Sequence, residues 1–367
     1  MRITLVISSM GSGGAERVMS IIANYWADRG EDITLITYYP KNKDFYKLHS
    51  HIKRANLGLL YNQSTTVWSA IKNNYTRLSR LRAVIQESHP DVVVSFMDRN
   101  NVLTLIATIG LSIPVVVSER TNPKQHSIGP VWNCLRYLFY STAEALVIQS
   151  EAIKGWATGI ISSKRLYVIP NPVLPVPKIM NYDTSFSIQS PFIVSMGRLD
   201  QYKGFDKLIE AFAQNYKKFP QWSLVILGEG PQRNQLESYA HELGISSRIH
   251  FPGQIHEPHA TLQQADIYVL SSKYEGFPNA LLEAMSCGLA VISFDCPTGP
   301  SDIIRNEQDG LLIPPEDVKA LIKAIEDLMG DENKRQRLGA QARSVMERFS
   351  IEKIIKKWDK VLNEVLN

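Results

Sequence analysis

Short runs of Val, Ile and Leu alternate with longer stretches of helical periodicity along almost the whole chain, and no other feature restricts its fold so tightly. Residues 3–8 read as a strand, 15–29 as a helix and 33–38 as a second strand, the βαβ signature of a parallel sheet. The series continues with a helix over 66–88, a strand over 92–96, a helix over 101–110 and strands over 115–118 and 145–149, and closes at Val168-Ile169-Pro170-Asn171-Pro172. Pro170, Pro172, Pro175 and Pro177 make the next stretch too proline-rich for a helix or central strand, so it reads as an interdomain linker. A second series follows, with strands over 192–196, 223–227, 249–251, 267–270 and 290–294 and helical segments between most of them. The 367 residues exceed what one core usually sustains. Two doubly wound α/β domains are expected, at 1–174 and 182–350, with a cleft between them. In the last segment, 351–367, Ile351, Ile355, Trp358, Leu362 and Val365 fall at helical spacing, an apolar stripe that needs a partner surface.

The chain enters its first strand directly, without a basic segment followed by a long apolar one, and no apolar run approaches the roughly 20 residues that span a bilayer. Neither a secretory leader nor a membrane span is expected, and the expected compartment is the cytoplasm. Cys134, Cys287 and Cys296 are odd in number and widely spaced, which argues against a disulfide framework or a zinc site. The net charge of +4 is unevenly spread: residues 1–180 carry 20 Lys and Arg against 11 Asp and Glu, a net +9, leaving −5 for the rest. The N-terminal half should therefore attract anions, whether phosphorylated ligands or an anionic membrane surface. Nucleic acid is not an expected partner, because the basic excess carries no reading motif.

Motifs fall at the strand ends. Met10-Gly11-Ser12-Gly13-Gly14-Ala15-Glu16-Arg17 separates the first strand from the first helix, where glycines let backbone N–H groups approach a phosphate or sugar. A dinucleotide-binding turn would want an acidic residue at the end of the second strand, and Thr34-Leu35-Ile36-Thr37-Tyr38 offers none; a purely structural tight turn fits as well. Gly197-Arg198-Leu199-Asp200-Gln201-Tyr202-Lys203-Gly204 places two cations five residues apart at the mouth of a strand-to-helix loop. Arg198 and Lys203 could clamp a diphosphate and stabilise the charge growing on a departing nucleoside diphosphate. The strand at 223–227 ends in Gly228-Glu229-Gly230-Pro231, at the same edge of a parallel sheet. Tyr274-Glu275-Gly276-Phe277-Pro278-Asn279-Ala280-Leu281-Leu282-Glu283 sets two carboxylates eight residues apart around a helix start. Glu275 can accept hydrogen bonds from sugar hydroxyls, Glu283 from a ribose diol, and the free backbone N–H groups of the Gly276 to Asn279 segment, those of Gly276, Phe277 and Asn279, would face phosphate.

This order of motifs, with Gly299 and Asp302 after it, resembles the retaining family 4 glycosyltransferases of the GT-B fold, over essentially the whole chain. The resemblance implies two Rossmann-like domains facing across a cleft, with the terminal helix, 351–367, packed back on the N-terminal one. It implies that Arg198 and Lys203 bind the donor diphosphate, Glu283 the ribose, Glu275 the transferred sugar, and backbone around Gly253-Gln254-Ile255 the base. Gly14, Gly228 and the Gly276–Asn279 segment complete the donor side. Ser-Gly-Gly-Ala-Glu-Arg-Val at 12–18 and Ser-Glu-Arg-Thr-Asn-Pro at 118–123 are most similar to bacterial members that extend polyprenyl-diphosphate-linked oligosaccharides or build capsule and exopolysaccharide. Where many members place a His, this chain has Glu119-Arg120, and an Arg cannot serve as a base at neutral pH. Its implied role is electrostatic.

The expected reaction moves a hexose or N-acetylhexosamine from a UDP-sugar, with retention, to a glycan or lipid-linked oligosaccharide in bacterial surface polysaccharide or glycoprotein glycan assembly. No Asp-x-Asp stands near a strand end, so no metal and no cofactor are expected. On the acceptor side, Gly13, Glu119 and Arg120 are joined by Lys72, Arg77 and Arg80 of the 66–88 helix. That helix places Val67, Trp68, Ile71, Tyr75, Leu78, Leu81 and Ile85 on an apolar face and Lys72, Arg77, Arg80 and Arg82 elsewhere; these cations read either as solvated charges on a domain helix or, for some of them, as binding an acceptor diphosphate or anionic lipid heads. Tyr38, Tyr39, Phe45, Tyr46, Tyr61 and Trp68 are candidate sugar platforms, although such aromatics as often fill cores. His126, His256 and His259 lack metal spacing and read as surface or core residues. A UDP-sugar epimerase of the same fold and a non-catalytic nucleotide- or polysaccharide-binding scaffold are the alternative functions; the Arg198, Lys203, Glu275 and Glu283 set argues against a scaffold.

Overall fold

A computed structural model describes residues 1–40, 44–58, 67–177, 188 and 190–367. Two compact units divide the chain, one comprising Met1–Pro172 with Glu352–Asn367 and the other Val173–Ile351.

The first unit runs β1 (Arg2–Ile7), α1 (Gly14–Asp28), β2 (Asp32–Thr37), β3 (Lys53–Asn56), α2 (Val67–Glu87), β4 (Val92–Phe96), α3 (Asp98–Ala107), β5 (Val115–Ser118), α4 (Pro130–Tyr140), β6 (Ala145–Ile148), α5 (Lys154–Ala157) and β7 (Leu166–Val168). Its seven strands are parallel, in the order β3-β2-β1-β4-β5-β6-β7. Helices cover both faces of such a sheet, so its central strands read as unbroken apolar runs: every residue of β4, β5 and β6 is buried.

The second unit runs β8 (Phe192–Met196), α6 (Phe205–Tyr216), β9 (Ser223–Leu227), α7 (Arg233–Glu242), β10 (Ile249–Gly253), α8 (His259–Leu262), β11 (Ile267–Leu270), α9 (Asn279–Cys287), β12 (Ala290–Phe294), α10 (Pro300–Ile303), β13 (Leu311–Ile313), α11 (Val318–Gly330), α12 (Glu332–Ala342) and α13 (Val345–Arg348). Its sheet is parallel in the order β10-β9-β8-β11-β12-β13. Successive residues of its strands face opposite cores, Ile193 and Leu224 on one side and Val194 and Val225 on the other.

The last helix, α14 (Ile351–Leu366), finds the partner its stripe requires in the first unit. Trp358 is buried, stacked on Phe96 at 5.8 Å and edge-on to Trp26 at 6.3 Å, and the Trp26 indole N–H donates to Asp359 at 3.0 Å. Ile354 and Val361 are buried beside the expected Ile355 and Leu362.

Two expectations need correction. The described part of α2 buries Leu81 and Ile85, but Trp68 is 81% and Tyr75 72% exposed, so the apolar face does not run the helix's length. Helical periodicity places residues on one side of a helix, but the neighbours decide how much of that side is covered. The side chains of Val67 and Ile71, and all of Tyr61, lie outside the described residues. The helix expected from 101 begins at Asp98, because Met97 takes a left-handed φ of 79° and turns the chain out of β4 at once. Strands β3, β7 and β13 are short edge-side pieces, and β3, Lys-Arg-Ala-Asn, has little β-branched signal to announce it.

Candidate active site

In an open parallel sheet, ligands bind beyond the carboxyl ends of the strands, where the strand order reverses. In the second unit that point lies between β8 and β11. The loop leaving β8 carries Arg198 and Lys203, and the loop leaving β11 carries Glu275. Lys203 Nζ donates to Glu275 Oε1 at 2.6 Å, and the Ser272 hydroxyl donates to the same oxygen at 2.7 Å. The Ser271 hydroxyl donates to the Lys203 carbonyl at 2.8 Å, and the Tyr202 and Tyr274 rings meet at 4.9 Å. A cation and a carboxylate 72 residues apart are thus locked together by their two loops. Arg198 is fastened far less: its side chain is 73% exposed and 3.9 Å from Asp200.

Glycine makes this convergence possible. Gly204, at φ 62°, sits so close to the Ser271 carbonyl that a Cβ would collide with it. Gly228, at φ 141°, lies against the Gly197 carbonyl in the same way, while its own N–H donates to the Gly253 carbonyl at 2.8 Å. Gly253, Gln254 and Ile255 therefore sit at the end of β10 beside the Gly228 loop, one strand from the β8 loop.

Gly276, Phe277 and Pro278 lead into α9, whose first residue is Asn279 and whose N-terminus has no side-chain cap. The loop after β12 packs onto this segment, with the Gly299 Cα so near the Pro278 ring that a Cβ would fall 2.6 Å from it. Asp302 accepts from the Gly299 N–H at 3.3 Å, and the Thr298 hydroxyl donates to the Glu275 carbonyl. Glu283, one turn into α9, is only 6% exposed. Burial pushes the nearby Cys287 and Cys296 thiols up to about 12, so neither is a thiolate nucleophile at neutral pH.

The first unit reverses its strand order between β1 and β4. Gly13 and Gly14 stand where the β1 loop becomes α1, and a Cβ on Gly13 would run into the Glu16 carboxylate, whose pKa burial raises. Glu119 and Arg120, expected to face an acceptor, are instead enclosed. Glu119 is fully buried and accepts from the Tyr140 hydroxyl at 2.9 Å and the Thr121 hydroxyl at 3.2 Å. Burial pushes its carboxyl up to about 7, against the pull of Arg136. Arg120 lies over the Phe96 ring at 4.5 Å, donates to the Asn171 side chain, and is lowered to about 9 by burial. Gln149 donates to the same Asn171 oxygen at 2.7 Å. Glu119 is closed in by Tyr140 and Arg136 of α4, and Arg120 by Phe96 of β4 and Asn171. Arg80 donates to the Leu57 carbonyl at 2.9 Å, Arg77 to Asn74 at 3.2 Å, and Lys72 is exposed.

Sequence reading passed over Asp98, Arg136 and Tyr140 and set His126 aside. Arg136 is 1% exposed, with Nη2 3.6 Å from Asp98 and Nε 3.7 Å from Glu119; His126 Nε2 is 3.5 Å from Asp98. The available signal was position: Asp98 and Glu119 both follow directly on fully buried strands. Among the described residues, no three His, Cys, Asp or Glu side chains gather as a metal site, and no helix is long and apolar enough to cross a membrane.

Two Rossmann-like parallel sheets in series, the second with a cation and a carboxylate joined at its switch point, define the GT-B class. Residues 12–175 match the family described as Glycosyltransferase Family 4, and residues 183–345 that described as Glycosyl transferases group 1. The chain is 30% identical, over all of its length and 99% of the relative's, to the GalNAc-alpha-(1->4)-GalNAc-alpha-(1->3)-diNAcBac-PP-undecaprenol alpha-1,4-N-acetyl-D-galactosaminyltransferase of Campylobacter jejuni. Among solved structures it resembles sucrose-phosphate synthase from Thermosynechococcus elongatus, with a TM-score of 0.83 at 19% identity over 99% of this chain and 98% of that one. It also resembles Anabaena HepE in complex with UDP and glucose, with a TM-score of 0.80 at 19% identity over 99% of this chain and 100% of that one. The chain belongs to the family 4 glycosyltransferases.

Proposed function

We propose that this glycosyltransferase moves a hexose or N-acetylhexosamine from a UDP-sugar, with retention of configuration, to a glycan or polyprenyl-diphosphate-linked oligosaccharide used in bacterial surface polysaccharide or glycoprotein glycan assembly. The observation that carries the reading is the Lys203–Glu275 contact at the β8/β11 switch point, with Arg198 on the same loop. A diphosphate entering there exchanges Lys203's carboxylate partner for phosphate oxygens and frees Glu275 to accept from sugar hydroxyls. Arg198 and Lys203 then stabilise the charge that grows as the bond from the anomeric carbon to the diphosphate breaks. Two cations on one loop supply what a divalent ion supplies elsewhere, so the reaction needs no metal, and the departing diphosphate assists attack from its own face. Support for the substrates comes from the Campylobacter relative, which is named for an undecaprenyl-diphosphate-linked acceptor, and from the HepE complex with UDP.

The exposed Trp68, Tyr75 and Lys72 on α2, with Arg77 and Arg80, suit peripheral contact with the anionic inner face of the cytoplasmic membrane. The test is nucleotide release from a panel of UDP-, GDP- and ADP-sugars, with and without polyprenyl-diphosphate oligosaccharides, repeated in chelator and with Glu283→Ala. Acceptor-stimulated release from one UDP-sugar, indifferent to chelator and lost in the variant, is expected. Release without acceptor dependence, or abolished by chelation and restored by magnesium, would overturn the proposal.

A further inference from the structure

The first unit has its own switch point, and the polar group that reaches it is not one of those the family motifs name. Asp98 follows β4 immediately, beside the β1 strand and its glycine loop. It is aimed by Met97, a non-glycine residue held at φ 79°, a conformation that costs energy unless the surroundings impose it. The Asp98 side chain is 9% exposed. Its Oδ1 accepts the Arg99 N–H at 2.6 Å, whereas its buried Oδ2 has no hydrogen-bond donor, only His126 Nε2 at 3.5 Å and Arg136 Nη2 at 3.6 Å. A buried carboxylate oxygen without a donor is costly, and a ligand or water that supplies one removes the cost. Arg136, itself without a hydrogen bond at Nε and Nη2 among the described residues, stands between Asp98 and Glu119. His126 is the member that meets solvent, with 40% of its side chain exposed. Its Nε2 is turned to the carboxylate, which leaves the Nδ1 edge of the ring on the other side.

We infer that Asp98 and His126 form the subsite that receives the reacting hydroxyl of the acceptor sugar. The hydroxyl lies against the exposed edge of His126, whose ring the carboxylate fixes, and its proton passes to the departing diphosphate as its oxygen bonds to the anomeric carbon. The negative Asp98 selects a neutral hydroxyl over a phosphate, so this subsite is chemically distinct from the cationic ones on α2. Glu119 takes no part in contact, since it is enclosed; it and Arg136 position Asp98. The inference rests on the transferase reading and adds the residues that hold the nucleophile.

The test uses the whole chain. His126→Ala and His126→Gln, at a partly exposed position, and Asp98→Asn are compared with the unaltered protein for acceptor-dependent nucleotide release and for UDP affinity. We expect kcat/KM for acceptor to fall at least 30-fold in each, with UDP affinity and acceptor-free donor hydrolysis within twofold of the unaltered protein. Unchanged acceptor kinetics in both His126 variants, or an equal loss of UDP binding, would overturn the inference. In parallel, the His126 imidazole resonance, assigned by its loss in His126→Ala, is titrated with methyl glycosides of N-acetylhexosamines, and should shift. If the unaltered protein shows no acceptor-dependent release, the transferase reading falls, and the titration decides the subsite alone: a silent resonance at saturating glycoside rejects it.

Discussion

The Lys203–Glu275 contact predicts opposite effects from removing its two members. Lys203 Nζ is held 2.6 Å from Glu275 Oε1, with side-chain exposures of 25% and 11%. In the donor site we propose, Lys203→Met deletes a charge-assisted hydrogen bond to the diphosphate, worth about 1.5–3 kcal/mol, so UDP should bind roughly 10- to 150-fold more weakly. Glu275→Gln keeps the side chain's shape but removes the charge that competes with phosphate for Lys203. The pair is partly exposed and screened, so the competition is about 1 kcal/mol and UDP should bind roughly fivefold more tightly. Sugar transfer should nevertheless fall, because the carboxylate that accepts from the sugar hydroxyls is gone. Calorimetric titration of UDP into both single variants and the double variant completes the cycle. In the double variant the fivefold gain should disappear, since there is no cation left to release. Glu275→Gln weakening UDP as much as Lys203→Met does would refute the argument, because the carboxylate would then be supporting the diphosphate site rather than occupying its cation.

Glu119 makes the first unit's stability depend on pH. Its carboxyl, raised to about 7 from 4.5, holds a proton in the folded chain that the unfolded chain has lost, so stability is full below about pH 4.5 and is lost as pH rises through 7, by on the order of 3 kcal/mol. Urea unfolding at pH 5 and pH 8 should show that loss in the unaltered chain and a clearly smaller one in Glu119→Gln, where Glu16 still titrates; equal losses would refute it. Trp358→Ala empties the space against Phe96 and Trp26 and should cost about 3–5 kcal/mol, seen as early trypsin cleavage at Lys356 and Lys357. Resistance equal to the unaltered chain's would mean that α14 is held by other contacts.

The βαβ alternation was readable because a parallel sheet buried on both faces demands continuous apolar strands, and β4, β5, β6, β9 and β12 carry them. The pieces that escaped, β3 and β7 among them, take their pairing from a neighbour rather than from their own residues. Arg198, Lys203, Glu275 and Glu283 were singled out because they fall in or just after loops that leave strand ends, and of these the structure brings Lys203 and Glu275 together. What one-dimensional reading could not supply was direction. Glu119 and Asp98 occupy equivalent places after adjacent strands, yet Glu119 is closed in by Tyr140 and Thr121 while Asp98 reaches the partly exposed His126. The sequence by itself determined two doubly wound units, an apolar stripe on the last helix and the motifs at the strand ends, because periodicity and strand-end chemistry are local properties. Tertiary structure alone decided that Lys203 holds Glu275, that Trp358 rests on Phe96 and Trp26, and which buried carboxylate lies beside the partly exposed His126. Those outcomes depend on which strands become neighbours and on which side chains then close over their ends.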